Sequence, residues 1–260
     1  MSWRATPADG LAWITGASSG IGRGVALELA RRGWKVAATA RRIEELETLA
    51  GEARGLKGSI AAFPGDVTDA AGIEALGAAM ETAHGPIALA FLNVGTYVPD
   101  NARKFGGAGF RQTFEVNVFG TVNCMAALLP RMRARGKGQI AVNASVAGYG
   151  GLPRAAAYGA TKAALINMAE SLKIGLAGEG ITLQIVNPGF VRTPLTDENK
   201  FPMPFLVELD AASRRICDGF ERGGFEITFP RRLSWILKAL NMLPYSAYFW
   251  LVGKGTGTAK

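Results

Sequence analysis

Thr15-Gly16-Ala17-Ser18-Ser19-Gly20-Ile21-Gly22 closes an apolar run at 11–14 and leads into Val25, Ala26, Leu29 and Ala30, which recur at helical spacing. Glycine is favoured where the backbone takes a positive φ, or where it must come very close to another group. A helix that starts directly after such a turn presents unsatisfied amides and the positive end of its dipole. Strand, glycine turn and helix start, in that order, predict a cradle for a pyrophosphate. The glycines follow the spacing G-x-x-x-G-x-G rather than G-x-G-x-x-G.

Outward from this turn, short apolar or β-branched runs alternate with longer helix-period segments. Strands are predicted at 11–15, 35–40, 59–63, 87–92, 139–144, 182–187 and 225–229. Helical character falls at 22–32, 43–50, 69–83, 110–135 and 155–177, with Thr68 and Asp69 both able to cap the third. Such alternation calls for an α/β fold, a parallel sheet with helices on both faces and right-handed crossovers. The chain has 260 residues, 48% of them hydrophobic and 19% charged, which excludes a disordered polymer. One domain over 1–230 is expected, with a loop at 194–210 over the site and a C-terminal extension at 231–260.

Two further motifs carry chemistry. Ser145 ends the predicted fifth strand, and Tyr158 and Lys162 follow in Tyr-Gly-Ala-Thr-Lys, four residues apart on one helix face. A phenol of ordinary pKa near 10 exchanges protons sluggishly at neutral pH, and a neighbouring ammonium lowers that value. Tyr158 would then act as acid toward a carbonyl being reduced and as base toward an alcohol being oxidised, while Ser145 hydrogen-bonds the same oxygen.

Taken together, these motifs resemble the short-chain dehydrogenase/reductase family over about residues 11–193. The resemblance implies a Rossmann-like, doubly wound, parallel seven-stranded sheet in the order 3-2-1-4-5-6-7. It implies a nicotinamide dinucleotide on Gly16, Ser18, Ser19, Gly20, Ile21 and Gly22, with Asp66 and Val67 beside the adenine. Leu92-Asn93-Val94-Gly95 is similar to the family's Asn-Asn-Ala-Gly, so Asn93 and Gly95 join the cofactor set, with Leu92 and Val94 as departures. Asn117 matches a fourth catalytic residue, which holds a water in a proton relay through Lys162. In Asn187-Pro188-Gly189-Phe190-Val191-Arg192-Thr193 the resemblance places Pro188, Gly189 and Val191 under the nicotinamide and Thr193 on its carboxamide. Where the family carries an acidic residue to bind a ribose 2′-hydroxyl, this chain has Ala40 followed by Arg41. An arginine there pairs with a 2′-phosphate, which favours NADP(H) over NAD(H), with Ser19 as a second phosphate ligand.

The activity implied is an oxidoreductase interconverting a carbonyl and a secondary alcohol. Two readings stand beside it: a non-catalytic NADP(H)-sensing or scaffold protein, and isomerase or dehydratase chemistry on the same fold. Gly95-Thr96-Tyr97, Gly148-Tyr149-Gly150 and 194–210, with Phe201-Pro202-Met203-Pro204-Phe205-Leu206, form an apolar substrate end, so a lipophilic substrate is expected. The family resemblance also implies homodimers or homotetramers through the helices at 110–135 and 155–177.

Other residues read more plainly. His84, the only histidine, is assigned to a surface loop, and Cys124 to a core or interface. Two distant cysteines indicate neither metal nor disulfide framework, and residues 1–10 lack the apolar core of a signal peptide, so a cytoplasmic protein is expected. Net charge is +8, yet five basic residues and no acidic one follow Glu226. The first 226 residues hold the other 24 basic side chains against all 21 acidic ones, and no nucleic-acid face is expected. Arg131, Arg133, Arg135 and Lys137 are assigned to a helix end, where the dipole favours them. In the extension, Leu233, Ile236, Leu237, Leu240 and Leu243 form an apolar stripe opposite Ser234, Lys238 and Asn241. Lys238, Asn241 and Pro244 argue against a membrane span at 233–252. An amphipathic contact with a membrane surface through 231–252, or burial against protein, both remain open.

Overall fold

The computed structural model describes residues 3–99, 105–197 and 203–257. Seven strands pair in parallel: β1 Leu11–Thr15, β2 Lys35–Thr39, β3 Ser59–Ala62, β4 Ile87–Leu92, β5 Gly138–Asn143, β6 Ile181–Pro188 and β7 Glu226–Phe229. Their order is β3-β2-β1-β4-β5-β6-β7, as expected. Strand order reverses between β1 and β4, which opens a crevice at their carboxyl ends.

Alternation along β1 builds the two layers. Ala12 and Ile14 point into one core with Val25, Leu29 and Ile216, while Leu11 and Trp13 enter the other with Ile73, Leu128 and Leu165. Both faces are therefore apolar, as a parallel sheet covered on both sides requires. Helices α1 Gly20–Arg31, α2 Ile43–Glu52 and α3 Ala70–His84 follow the first three strands. Asp69 caps α3, accepting a hydrogen bond from the Gly72 amide at 3.0 Å, while Thr68 turns back onto Asp66. His84 is the last residue of α3 rather than part of a loop and meets the Phe63 ring edge-on.

The helix expected at 110–135 comes in three pieces: α4 Gly107–Phe114, a π-helical turn Glu115–Phe119 and α5 Gly120–Arg135. Inserted π turns leave no mark in hydrophobic periodicity. At the joint a side chain on Gly120 would meet Val67 at 2.5 Å, so the two segments approach closely. Helix α6, Ala156–Gly178, and a short α7, Pro194–Asp197, come next. The sequence reading assigns no element between 210 and 225, where α8 Leu209–Arg222 lies. Its buried Ala212, Ile216 and Phe220 recur every four residues, and Ser213 packs where Gly24 leaves room on α1. Cys124 and Cys217 sit in the two opposite cores, and burial pushes both thiols up, Cys124 to about 12.

The basic cluster at the end of α5 is absorbed in ion pairs: Arg131 with Glu74, Arg135 with Glu81, Arg133 with Glu179 and Lys137 with Asp9. The extension forms α9, Arg231–Asn241, and α10, Tyr245–Gly255. No helix among the described residues is long and apolar enough to cross a membrane.

Replacing Asp69 by Ala removes the α3 cap. The expected loss is about 1 kcal/mol, a drop of roughly 2–4 °C in a thermal melt.

Candidate active site

A cleft of about 760 Å³ runs along the carboxyl ends of the strands. Its floor is the glycine turn, where Gly16 and Gly20 hold φ of 64° and 53°. A side chain on Gly22 would lie 2.3 Å from the Gly16 carbonyl, so that glycine closes the turn from behind and does not line the cleft. Ser19 precedes α1 without a side-chain capping bond, and the first-turn amides of α1 have no intrahelical acceptor. Concave backbone at a helix start fits a pyrophosphate, and the volume of the cleft lies within the range of small-molecule and cofactor sites.

At one end Arg41 is exposed beside Ala40, and Arg42 approaches Glu45 at 4.0 Å. Asp66 is occupied: its Oδ1 accepts from the Thr68 amide and hydroxyl at 3.0 and 2.8 Å. The Thr68 amide, with the hydroxyl and the Arg41 charge adding to it, holds that carboxyl below its usual range. Val67 is buried and lines the same end.

Asn93 lines the cleft, yet its carboxamide is committed to the sheet. Its Nδ2 donates to the Thr15 and Gly16 carbonyls at 3.2 and 3.3 Å, and its Oδ1 accepts from Asn143 at 2.9 Å. Asn117 sits in the π turn, buried behind the wall rather than in the cleft. Its carboxamide brackets Thr96, accepting from the amide at 2.7 Å and donating to the carbonyl at 3.0 Å, and also donates to Thr161 at 3.1 Å. Gly95 lies between Asn117 and Lys162; a side chain there would sit 3.6 Å from both Asn117 Oδ1 and Lys162 Nζ.

Ser145, Tyr158 and Lys162 converge at the other end. Ser145 leaves β5 and caps a single helical turn, Val146–Gly148, its Oγ accepting from the Ala147 amide at 3.1 Å. A side chain on Gly148 would meet the Lys162 backbone at 2.7 Å, so this glycine lets the Ser145 turn lie directly on α6. That contact fixes the serine relative to Tyr158 and Lys162, one helical turn apart on α6. Lys162 is almost wholly buried and donates to the Asn143 carbonyl at 2.8 Å, its Nζ 5.5 Å from the centre of the Tyr158 ring. Tyr158 is half-buried and meets Tyr97 edge-on.

The sequence reading expects Lys162 to lower the Tyr158 phenol. Here enclosure acts first: it pushes the phenol up, with the Ser145 hydroxyl pulling the other way, and takes Lys162 down to about 7. A desolvated ammonium gives up its proton, so it cannot supply a full charge to its neighbour at neutral pH. In this arrangement Tyr158 is protonated and Lys162 is divided between its two forms.

Pro188, Gly189, Val191 and Thr193 line the wall from β6, and the Pro188 carbonyl accepts from Ser145 at 3.4 Å. Thr193 faces Gly20 with its methyl group, while its hydroxyl is shared with Thr196 at 3.2 Å. The loop beyond is closed at its base by pairing of Val191 with Val207, and Leu195 reaches the cleft. Phe201 and Pro202 lie outside the described residues. Tyr149 turns away from the substrate end into a polar cluster, where Glu226 accepts from Tyr149 and Asn187 at 2.5 and 2.8 Å and is paired with Lys238.

Several residues of the site escape sequence reading. Asn143 acts through a main-chain carbonyl, which carries no side-chain signature. Gln112, Glu115 and Val116 enter the wall through the α4 end and the π turn, which periodicity does not register.

Burial of Lys162 makes folding pH-dependent. Its folded value of about 7 lies below the ordinary 10.5, so at mildly alkaline pH the unfolded chain holds a proton that the folded protein has released. Stability from this residue therefore rises with pH across that window, by up to about 1.4 kcal/mol per pH unit. Urea unfolding at a series of pH values should show the parent gaining on Lys162→Met as pH rises; parallel profiles would remove the buried-amine reading.

The family described as short chain dehydrogenase matches residues 11–202. An uncharacterized oxidoreductase of Myxococcus xanthus is 38% identical over 234 residues, which span 90% of this chain and 92% of that protein. A 2-keto-3-deoxy-L-fuconate dehydrogenase of Xanthomonas campestris is 35% identical over 70% of this chain and 58% of its own. The crystal structure of a 3-ketoacyl-ACP reductase from Sinorhizobium meliloti superposes with a TM-score of 0.77 at 26% identity, covering 87% of this chain and 99% of the other. With the sheet order, the glycine turn and the Ser145, Tyr158 and Lys162 cluster in place, the chain belongs to the short-chain dehydrogenase/reductase family, NAD(P)(H)-binding oxidoreductases that act on CH-OH groups.

Proposed function

We propose that this chain interconverts a lipophilic carbonyl compound and its secondary alcohol, with NADP(H) as the preferred cofactor. The observation that carries the reading is the convergence of a serine hydroxyl, a protonated phenol and a buried amine at one end of the cleft. When bound, the dinucleotide supplies or accepts the hydride. Ser145 donates to the carbonyl oxygen and holds it beside the phenol. Tyr158 gives its proton to that oxygen in reduction and takes it back in oxidation. Lys162, hydrogen-bonded to Asn143, stands next to the phenol as a group whose proton exchanges near neutral pH. Asn117 is a positioning residue that fixes the Gly95–Thr96 wall through both backbone bonds to Thr96.

Preference for NADP(H) is supported by charge at the adenosine end. Arg41 is exposed there, Ala40 offers no carboxylate to a 2′-hydroxyl, and Asp66 already accepts from Thr68. Ser19, exposed and free of a capping bond, supplies a second donor. The lipophilic reading is supported by the catalytic end, where Val94, Pro194 and Leu195 line the wall near the buried Lys162. Relatives whose names carry a deoxy-fuconate and a ketoacyl-ACP leave the substrate class to this chain's own loops. Exposed Phe119, Val122, Leu172 and Ile174 on the helical segments from the π turn to α6 support a homo-oligomer through those faces, which light scattering tests.

Two variants separate chemistry from binding. Tyr158→Phe should lower kcat for ketone reduction by about 10²–10⁴-fold, followed at the NADPH absorbance, and leave cofactor affinity intact. Equal turnover by parent and variant would overturn the acid role. Arg41→Ala should raise the NADPH KM about tenfold or more and leave the NADH value nearly unchanged. A panel graded from small polar to long-chain ketones should give kcat/KM rising with apolarity; a preference for small charged ketones would overturn the lipophilic assignment.

A further inference from the structure

Helix α9 turns the boundary between its polar and apolar stripes toward the body. In an aqueous protein an amphipathic helix turns its apolar stripe to the core and its polar stripe to water. Here part of the polar stripe is drawn inward: Ser234 is buried on Thr228, and the half-buried Lys238 pairs with Glu226 and lies over the Tyr149 ring. Asn241 follows the same stripe to Gly150, where an added side chain would lie 3.2 Å from its Oδ1. The body offers α9 a polar bed of Glu226, Thr228, Tyr149 and Asn187, so Ser234 and Lys238 are drawn there and part of the apolar surface of the helix is left outside. Leu233 is buried and Leu237 and Leu240 are half-buried, whereas Trp235 is 70% exposed and Ile236 49%.

Helix α10 extends the same surface. Tyr248 and Val252 anchor it, and the Tyr248 hydroxyl donates to the Gly151 carbonyl at 2.8 Å, on the segment that joins Ser145 to Tyr158. Its outward side carries Tyr245, Phe249 and Trp250, at 78, 65 and 60% exposure, and Met242 stands exposed between the helices. Tyr245 and Phe249 stack at 5.6 Å, and Lys254 lies 5.2 Å from the Trp250 ring. Arg231 and Arg232 are exposed at the start of α9, and no acidic residue follows Glu226 in the chain.

We infer that the outward face of α9 and α10 docks on an anionic lipid bilayer. Tryptophan and tyrosine favour the boundary between headgroups and acyl chains, and the neighbouring cations match an anionic surface. A protein partner of mixed charge would leave the one-signed cation set unmatched, whereas an anionic headgroup layer matches every member of it. The helices are too short to span, so the contact lies in the plane of the interface. This inference stands apart from the catalytic assignment and needs neither cofactor nor substrate.

The test uses the full chain with vesicles of phosphatidylcholine alone, or of an equal mixture of phosphatidylcholine and phosphatidylglycerol. Sedimentation should carry the protein down with the mixed vesicles, weakly with the neutral ones, and less at high salt. Trp235 and Trp250 should report docking as a blue shift in fluorescence that the double serine variant loses, since Trp13 and Trp34 are already buried and the half-buried Trp3 packs against the core beside Lys137. Trp235→Ser with Trp250→Ser, and separately Arg231→Glu with Arg232→Glu, should each reduce vesicle affinity about tenfold or more. Both side-chain pairs are exposed and outside the cleft, so the thermal midpoint and ketone turnover should match the parent. Failure to bind mixed vesicles, or equal binding by parent and variants, would overturn the inference. So would a dimer that the double serine variant dissolves in the absence of vesicle binding, because a second copy would then cover the face.

Discussion

The carboxamide of Asn93 joins three strand ends at the point where the sheet changes direction. It donates to the last residue of β1 and to Gly16 beyond it, and it accepts from Asn143 at the end of β5. Parallel strands supply hydrogen bonds only along their lengths, so their carboxyl ends separate as the sheet twists. One side chain bridging them sets the width of the crevice. Everything placed there inherits that spacing: the glycine turn leaves β1 directly above the bond, and the Asn143 carbonyl on the far side holds Lys162.

Burial gives the site its chemistry. Lys162 is enclosed with one hydrogen bond to a carbonyl, so its charge is poorly solvated and its proton is lost near neutral pH. The same enclosure keeps the Tyr158 phenol protonated, and the Ser145 hydroxyl beside it moderates that effect. Two groups that in water exchange protons only in alkaline solution are thereby driven apart in pKa, which is a common basis for assigning acid and base roles. Glycine at 148 contributes by absence, since a side chain there would press on the backbone that carries Lys162.

At the other edge of the sheet a second polar centre governs the extension. Glu226 collects Tyr149, Asn187 and Lys238, and although burial pushes its carboxyl up, these three hold it below its usual range. Lys238 on that carboxylate and Ser234 on Thr228 hold α9 with its tryptophan outward, and Tyr248 on the Gly151 carbonyl fastens α10 beside it. The same carboxylate takes the Tyr149 hydroxyl, which removes that side chain from the substrate pocket where the sequence pattern had put it.

Local chemistry in the sequence determined the strands, the glycine turn and the spacing of Ser145, Tyr158 and Lys162, whereas the sheet order came with the family resemblance that those motifs carry. The first three depend on short-range spacing: alternation in strands, four-residue repeats on a helix, and a turn that needs glycine. The cap of α3 was narrowed to Thr68 or Asp69, and only the Asx turn at Asp66 decided between them. What tertiary structure alone decided were matters of environment and rotation. The direction of the Lys162 and Tyr158 shifts, the commitment of Asn93 and Asn117 to backbone partners, and the outward aromatic face all follow from groups far apart in the chain. Amphipathic periodicity gives the angle between two stripes of a helix but not how the helix is rotated against the body, because that depends on the polarity of the surface it meets.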